Sequence, residues 1–313
     1  MPKVSVIMAV YNGERYLEEC LHSYAMQTYK DFEFLIMDDG STDGSEKIIR
    51  KHMDDDCRIV IFHQQNAGLA SALNFLISKA NGTYIARMDV DDLVAPDRLE
   101  KQVRYLDEHP DVDLVTCGTA HFSQGRRLLF ATCPKVRTKQ SDDAILRGKA
   151  NTLTHGSVMF RTSKIRQFQM PYRTKYGQDY DLWIRCLAMG WKFATVPEVL
   201  YFYRKGSLLQ EDPVKNAIRD GQRNVAVRLR YEGRLFDDDY CLKLFTDIAG
   251  KAKSVSASYR PAFTMKRRAY ALFSNLLYHI YPVWLRAWVY DRIFLRRGNG
   301  YLSYKQLQLI ELP

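Results

Sequence analysis

The chain has 313 residues and a formal net charge of +10, with 46% hydrophobic and 26% charged residues. This composition is typical of a folded globular protein and argues against a disordered chain. The six cysteines are scattered without a Cys-x-x-Cys pair, which favours reduced thiols in a cytoplasmic protein over a disulfide framework or a zinc site. No apolar run reaches the ~20 residues that a membrane-spanning helix needs, and the first residues do not resemble a signal peptide.

Strand and helix signals alternate over the first hundred residues. Apolar, β-branched runs predict strands at 4–10, 32–37, 58–63 and 84–88, and 3.6-residue periodicity predicts helices at 14–27, 45–53, 69–79 and 96–109. This alternation predicts an α/β fold with a mostly parallel sheet and helices on both faces. Ligands bind at the carboxyl ends of the strands in such sheets, and polar residues follow four of these strands. They are Asn12, Asp39, Asn66 and Asp91.

The second hundred residues are less regular. The pattern predicts strands at 114–117, 155–160, 193–196 and 199–203, a hairpin around Gln124-Gly125, and a helix at 179–189. From residue 212 onward strand signals nearly vanish and the periodicity becomes helical. We therefore expect a domain boundary near Gly206, with a smaller helical C-terminal region over 207–313.

Three carboxylates end the strand at 84–88, in the run Asp89-Val90-Asp91-Asp92. Strand alternation would place Asp89 and Asp91 on one side of the backbone. Two like charges in a partly dry place repel unless a cation or a shared proton holds them, and hard oxygen donors suit Mg²⁺ or Mn²⁺. A solvated acidic turn before the helix near Pro96 is an equal alternative on this segment alone. Asp92 is expected to support the loop or to cap the following segment.

Five runs in the first two-thirds of the chain, taken in order, resemble family-2 glycosyltransferases, the inverting nucleotide-sugar enzymes of the GT-A fold. The runs are Val4-Ser5-Val6-Ile7-Met8-Ala9-Val10-Tyr11-Asn12, Asp38-Asp39-Gly40-Ser41-Thr42-Asp43, Asn66-Ala67-Gly68, Asp89-Val90-Asp91-Asp92 and Gln178-Asp179-Tyr180-Asp181-Leu182-Trp183. Each run is weak alone, whereas the ordered set is specific. The resemblance implies a Rossmann-like GT-A catalytic domain over residues 1–206. Residues 1–100 would bind the nucleotide-sugar and residues 101–206 would face the acceptor.

The resemblance also assigns the donor site. Ala9 and Tyr11 match positions that cradle the nucleotide base, and Asp39 matches the carboxylate that accepts a hydrogen bond from the uracil ring N–H. Asn66 and Gly68 match a loop that passes close to the nucleotide. A plain turn or cap for Asp39, and a helix N-cap for Asn66, are the alternatives. The candidate donor-binding residues are Ala9, Tyr11, Asp39, Asn66, Gly68, Asn74 and Asp89.

The same resemblance implies the metal ligands and the general base. Asp91 is the expected metal ligand and Asp89 the second acid of the pair, holding Mn²⁺ or Mg²⁺ against the diphosphate leaving group. The general base of the family is an acid of a Glu-Asp pair; here Gln178 replaces the first member and Asp179 remains as the expected base. Asp181 is its rival, and an N-cap role is the alternative to catalysis for Asp179.

Two further positions match the acceptor or phosphate side of the family. His155 lies where the family shapes the acceptor pocket, although a lone histidine near a strand is more often structural. Arg204 belongs to a segment that resembles the closing Tyr-Arg segment and would offer charge to a phosphate. The histidine that usually follows two places later is replaced by Gly206. The sequence contains no Gln-x-x-Arg-Trp motif, which argues against a processive polymerase.

The basic charge is concentrated near the C-terminus. Residues 251–300 hold ten Lys and Arg against one acid, Asp291, and so carry +9, whereas the rest of the chain carries +1. Apolar residues fall on one side of a helix over 266–280, and aromatic residues interleave with arginines over 284–297. Such helices fit an anionic membrane surface, and packing on the catalytic domain is the alternative.

The sequence thus predicts transfer of a single sugar from a nucleotide-sugar, expected to be UDP-linked, to a hydroxyl of a bacterial glycan. Acceptors such as O-antigen, capsule or exopolysaccharide on a lipid carrier would place the protein at the inner face of the cell membrane. The alternatives are a non-catalytic basic peripheral membrane protein that retains the fold, and a nucleotidyltransferase. No nucleic-acid-binding motif is visible, so no nucleic acid partner is expected.

Overall fold

The computed structural model describes residues 1–133, 139–146, 152–173, 177–205 and 310–313. In this part of the chain nine strands form one sheet: β1 (Val4–Val10), β2 (Phe32–Asp38), β3 (Ile59–His63), β4 (Tyr84–Asp89), β5 (Leu93–Val94), β6 (Leu114–Ser123), β7 (Leu128–Thr132), β8 (Met159–Arg161) and β9 (Phe193–Lys205). The α-helices are α1 (Glu14–Ala25), α2 (Ser45–Asp55), α3 (Leu69–Lys79), α4 (Arg98–Glu108), α5 (Lys139–Leu146), α6 (Thr162–Ile165) and α7 (Gln178–Ala188).

The strand order is β3-β2-β1-β4-β8-β6-β9-β5, with β7 paired to β6. β1 is parallel to both β2 and β4, and β2 is parallel to β3, so the N-terminal half of the sheet is wholly parallel. β8 is antiparallel to β4 and β6, and β9 runs parallel to β6. The predicted α/β fold is confirmed.

Two apolar cores cover the two faces of the sheet. Alternate residues of β1 point to opposite faces, so that Val6 and Met8 pack with α1, α2 and α4, whereas Ile7 packs with α3 and α7. Because both faces are buried, the parallel strands are almost continuously hydrophobic. Residues at the strand ends emerge from this packing at the sheet edge.

The predicted strand over 155–160 is wrong in its first half. His155–Ser157 forms a short 3-10 turn, and β8 begins only at Met159. Side chains of α4 bind the carbonyl groups that a strand would have used: Arg98 Nη2 donates to Gly156 O at 2.8 Å and Gln102 Nε2 donates to Ser157 O at 2.9 Å. A Cβ on Gly156 would lie 1.7 Å from the Tyr201 hydroxyl, so only glycine fits this approach.

The two strands predicted over 193–203 are one strand, β9. It passes a bulge opposite Gly118, where the register moves from Cys117–Val196 to Gly118–Val199. Pro197 and Glu198 lie in the bulge and are exposed, which accounts for the break in the apolar pattern. The predicted hairpin is confirmed between β6 and β7, with Arg126 at a φ of 56° in its turn.

The predicted boundary at Gly206, the basic segment 251–300 and all but the last four residues of the predicted helical region 207–313 lie outside the described residues. Ile310 and Leu312, which the structure does describe, pack against the cluster of Leu93, Phe122 and Phe202. Within the described ranges no helix is both long and apolar enough to cross a membrane.

Candidate active site

The carboxyl ends of three parallel strands meet at one edge of the sheet. Ala9 of β1 lies beside Met37 of β2 on one side and beside Asp89 of β4 on the other. The residues that directly follow these strands, Tyr11 and Asp39, therefore share this edge with Asp89. Tyr11 is 53% exposed, and its ring is accessible at the rim of the edge.

Asp39 connects the end of β2 to the loop before α3. It is only 3% exposed, and its carboxylate accepts hydrogen bonds from Gln64 Nε2 at 2.6 Å, Ala67 N at 2.8 Å and Gly68 N at 2.9 Å. Gly68, at a φ of 88°, is the N-cap of α3, so the N-cap alternative for Asn66 is wrong. Asn66 is exposed in the same loop. Asp39 thus holds the loop that the nucleotide is expected to approach.

Asn74 of α3 fixes a neighbouring segment. Its side chain donates to Tyr172 O at 2.6 Å and accepts from Tyr172 N at 2.9 Å. Contact of Asn74 with a nucleotide stays a prediction.

His155 binds the same tyrosine, because the Tyr172 hydroxyl lies 2.9 Å from His155 Nε2. Burial, together with the charge of Arg87, holds the pKa of His155 well below its usual value, so the ring is neutral at physiological pH.

The acid loop, residues 89–92, begins at the last residue of β4 and is held at both ends. Asp89 forms an ion pair with Arg87, which is 1% exposed and lies two residues earlier in the same strand. Asp92 is completely buried and accepts hydrogen bonds from the Tyr201 hydroxyl at 2.6 Å and from Arg204 N at 2.7 Å. Asp92 therefore supports the loop and is not exposed to a ligand.

The carboxylates of the acid loop repel one another. Burial and the charge of Asp89 raise the pKa of Asp91 to about 6. Burial, and then the charges of Asp91 and Asp89, raise the pKa of Asp92 well above its usual value. Crowded hard-oxygen donors of this kind fit a divalent cation such as Mg²⁺ or Mn²⁺, which Asp91 and Asp89 would hold.

A second acidic group lies in the neighbouring part of the described fold. Ligand atoms of Asp38, Glu46 and His63 are all within 4.8 Å of one another. Arg50 already occupies this group, because its Nε donates to Glu46 at 2.8 Å and its Nη2 lies 3.5 Å from His63 Nε2. The acid loop is the better metal candidate, since Glu46 and His63 are 45% and 42% exposed and already bound by Arg50.

Arg204, at the end of β9, is buried against the acid loop. Its Nε donates to the carbonyl oxygen of Asp91 at 2.7 Å and its Nη2 donates to Glu19 at 2.7 Å. In this arrangement the guanidinium positions the loop, and its direct contact with a phosphate stays a prediction.

The two acids at the start of α7 have different surroundings. Asp181 is 4% exposed and is ion-paired with both Arg173 and Arg185, at 2.8 and 3.0 Å. Its carboxylate is thus committed to the packing of α7. Gly177, at a φ of 61°, is the N-cap, so the N-cap alternative for Asp179 is wrong. Gln178 and Asp179 lie in the first helical turn and are partly exposed.

Two tyrosines lie in the field of these acids. Burial raises the pKa of the partly buried Tyr203, and the charges of Asp92, Asp89, Asp91 and Asp179 raise it further. Burial likewise raises the pKa of Tyr172, against the charge of Arg87, and the charges of Asp179 and Asp89 add to the rise. Both phenols are therefore protonated at physiological pH.

Sequence reasoning assigned no role to Arg87 and Glu19. Arg87 has a detectable signal, because a charged residue inside an otherwise apolar strand, two residues before Asp89, must lie on the same side as that acid. Glu19 has no such signal, since its partner Arg204 lies 185 residues away.

Comparison with known proteins identifies glycosyltransferases as relatives of this chain. The family model described as glycosyl transferase family 2 matches residues 5–168, more than half of the chain. Putative glycosyltransferase EpsE of Bacillus subtilis is 38% identical over 216 residues, which is 66% of this chain and 74% of that protein. Amylovoran biosynthesis glycosyltransferase AmsE of Erwinia amylovora is 31% identical over 206 residues, covering 65% of this chain and 76% of that protein.

Solved structures share the fold at low sequence identity. S. aureus TarS 1–349 in complex with UDP-GlcNAc superposes with a TM-score of 0.60 at 17% identity, covering 88% of this chain and 81% of that chain. Mannosyltransferase PcManGT from Pyrobaculum calidifontis, in complex with GDP-Man and Mn²⁺, gives a TM-score of 0.55 at 22% identity, covering 88% and 86%.

Proposed function

The chain belongs to glycosyl transferase family 2, and on that premise we propose that it transfers one sugar from a nucleotide-sugar to a glycan hydroxyl with inversion. The donor is proposed to be a UDP-sugar and the reaction to depend on Mn²⁺ or Mg²⁺. The observation that carries this proposal is the acid loop, which is held at the carboxyl end of β4 beside the ends of β1 and β2.

The donor side is proposed to lie along the ends of β1 and β2. Tyr11 offers an exposed ring for a base, and Ala9 beside it leaves room for close approach. Asp39 has carboxylate lone pairs beyond its three hydrogen bonds, and one of these would accept from the uracil ring N–H. The ligands named for TarS and PcManGT are of the same class, UDP-GlcNAc and GDP-Man with Mn²⁺.

The acid loop is proposed to hold the metal through Asp91 and Asp89. The bound cation would stabilise the negative charge that develops on the departing diphosphate. Arg87 and Asp92 hold the two ends of the loop, so that the carboxylate of Asp91 keeps a fixed place at the sheet edge.

Asp179 is proposed to be the general base. It takes the proton of the acceptor hydroxyl while that oxygen attacks the anomeric carbon. The bond to the diphosphate then breaks on the opposite face, which inverts the configuration. Its rival Asp181 is buried with both carboxylate oxygens bound by arginines, so it is not accessible to an acceptor hydroxyl. His155, neutral and bound to Tyr172, is proposed to shape the acceptor side as a hydrogen-bonding group.

The acceptor is proposed to be a bacterial surface polysaccharide under synthesis. AmsE is named for amylovoran biosynthesis and TuaG of Bacillus subtilis, 34% identical over 206 residues, for teichuronic acid biosynthesis. A lipid-linked acceptor would suit the basic, aromatic segment 251–300 at an anionic membrane surface. Family membership counts against a non-catalytic membrane protein and against a nucleotidyltransferase.

Thermal-shift measurements with UDP-, GDP- and dTDP-sugars, each with and without Mn²⁺, test the donor and the metal together. We expect stabilisation by a UDP-sugar that requires Mn²⁺ and is lost in Asp91→Asn. Asp179→Asn should retain that stabilisation while kcat falls about 10²–10⁴-fold. Asp111→Asn, a change at an exposed ion pair with Lys192, is the control and should behave as wild type. Full activity of Asp179→Asn, or no response to any sugar nucleotide, would contradict the proposal.

A further inference from the structure

Glu19, on α1, lies between two arginines. Its Oε2 accepts a hydrogen bond from Arg204 Nη2 at 2.7 Å and lies 3.1 Å from Nη1 of Arg126 in the β6–β7 turn. The carboxylate is 43% exposed, whereas the guanidinium of Arg204 is buried. Burial alone would raise the pKa of Glu19, but the hydrogen bond and charge of Arg204 and the charge of Arg126 outweigh it and lower the pKa. Glu19 is therefore ionised at neutral pH.

Arg204 connects this carboxylate to the acid loop. It donates through Nε to the carbonyl oxygen of Asp91 and through its backbone N–H to Asp92, both at 2.7 Å. The rings of Tyr16 and Phe122 lie against the guanidinium, with centroids 4.9 and 4.6 Å from Cζ. A buried guanidinium with this many contacts has little freedom to move, so it fixes the backbone that carries Asp91.

The charge balance around the loop depends on Glu19. The charged groups in contact are Asp89, Asp91, Asp92, Glu19, Arg87, Arg204 and Arg126. In formal charges, four carboxylates against three guanidinium groups carry −1. Without the charge of Glu19 the group is neutral, and the unneutralised guanidinium of Arg204 would both attract the loop carboxylates and repel a metal ion.

We propose that Glu19 is a positioning residue for the divalent cation: it neutralises Arg204, so that Asp91 is available to the metal, and it holds Arg204 where it supports the acid loop. This inference rests on the metal site proposed above. It assigns to α1 a role in metal binding, although Glu19 itself would not coordinate the ion.

Isothermal titration calorimetry, in which MnCl₂ is added to the full chain in the presence of UDP, measures Mn²⁺ affinity and tests the inference without requiring turnover. The variants are Glu19→Gln, which keeps the shape and removes the charge, Glu19→Asp, which keeps the charge, and Glu18→Gln as the matched control. Glu18 is the preceding residue of α1, but it pairs with Lys51 and His52 of α2. The melting temperature of each metal-free variant shows that it is folded.

We expect Glu19→Gln to weaken Mn²⁺ binding on the order of tenfold, Glu19→Asp to stay within about threefold of wild type, and Glu18→Gln to be unchanged. In a transfer assay the Mn²⁺ concentration for half-maximal rate should rise in Glu19→Gln, while kcat at saturating Mn²⁺ stays near wild type. Equal Mn²⁺ affinity in Glu19→Gln and wild type, or an equal loss in Glu18→Gln or in Glu19→Asp, would overturn the inference. Absence of Mn²⁺ binding by the wild type would instead refute the metal site itself, and the inference with it.

Discussion

Replacing Asp181 by asparagine tests whether this acid is structural. In the folded protein the buried carboxylate of Asp181 accepts hydrogen bonds of 2.8–3.1 Å from two buried arginines, Arg173 and Arg185. Asparagine is nearly isosteric but neutral, so the ion pairs of Asp181 with two buried guanidinium groups would be lost. Breaking a buried ion pair in this way costs about 3–5 kcal/mol. For a domain of this size that corresponds to a melting temperature lower by about 10 °C.

Urea and thermal denaturation, followed by circular dichroism, measure this loss. Asp179→Asn, two residues earlier on the same helix, is the matched control, and we expect its melting temperature to stay within about 2 °C of wild type. A wild-type melting temperature for Asp181→Asn would refute the structural role. An equal loss of stability in Asp179→Asn would refute the division of roles between the two acids.

Two further predictions concern the stability of the fold, one through packing at Gly156 and one through the protonation of His121. Gly156→Ala would place a Cβ 1.7 Å from the Tyr201 hydroxyl, which must then leave Asp92. We expect Gly156→Ala to lower the melting temperature by at least about 5 °C. Gly125→Ala is the control and should leave it unchanged, because the nearest atom to the added Cβ, Ser123 Oγ, lies 3.9 Å away. Equal melting temperatures for the two variants would contradict this account. Burial, with a contribution from Lys205, lowers the pKa of His121 to about 3, whereas the unfolded chain binds this proton near 6.5. Stability should therefore fall below pH 6.5, by about 2 kcal/mol at pH 5, and His121→Phe should remove that part of the loss in urea denaturation at pH 7.5 and pH 5. An identical loss in both proteins would contradict the assignment to His121.

The parallel half of the fold could be predicted from the sequence because its signals are local. The predicted strand over 4–10 and helix over 69–79 coincide with β1 and α3. The strands are apolar because both faces of the sheet are covered, and their ends are marked by Asn, Asp and Gly. Since parallel strands end at one edge, the sequence could also place Ala9, Tyr11, Asp39 and Asp89 together.

What could not be predicted depends on contacts between distant residues. The turn at His155–Ser157 has strand-like composition, but Arg98 and Gln102 bind its carbonyl groups from α4, 53 or more residues away along the chain. The two acids of α7 had one local signal, because Arg185 lies four residues after Asp181 on the helix and no basic residue lies four after Asp179. The burial of Asp181 and its pairing with Arg173 as well follow only from the packed structure.

Ile310 and Leu312 pack against Leu93, Phe122 and Phe202, so residues far apart in the sequence share one small apolar cluster. β9 ends at Lys205 beside the β6–β7 hairpin, and Arg126 in that hairpin binds the carbonyl oxygen of Pro313 at 2.6 Å. Lys205 and residues 310–313 therefore lie at the same corner of the described domain. Truncation after residue 205 would uncover apolar side chains of that corner, so an excised catalytic fragment should aggregate where the full chain does not.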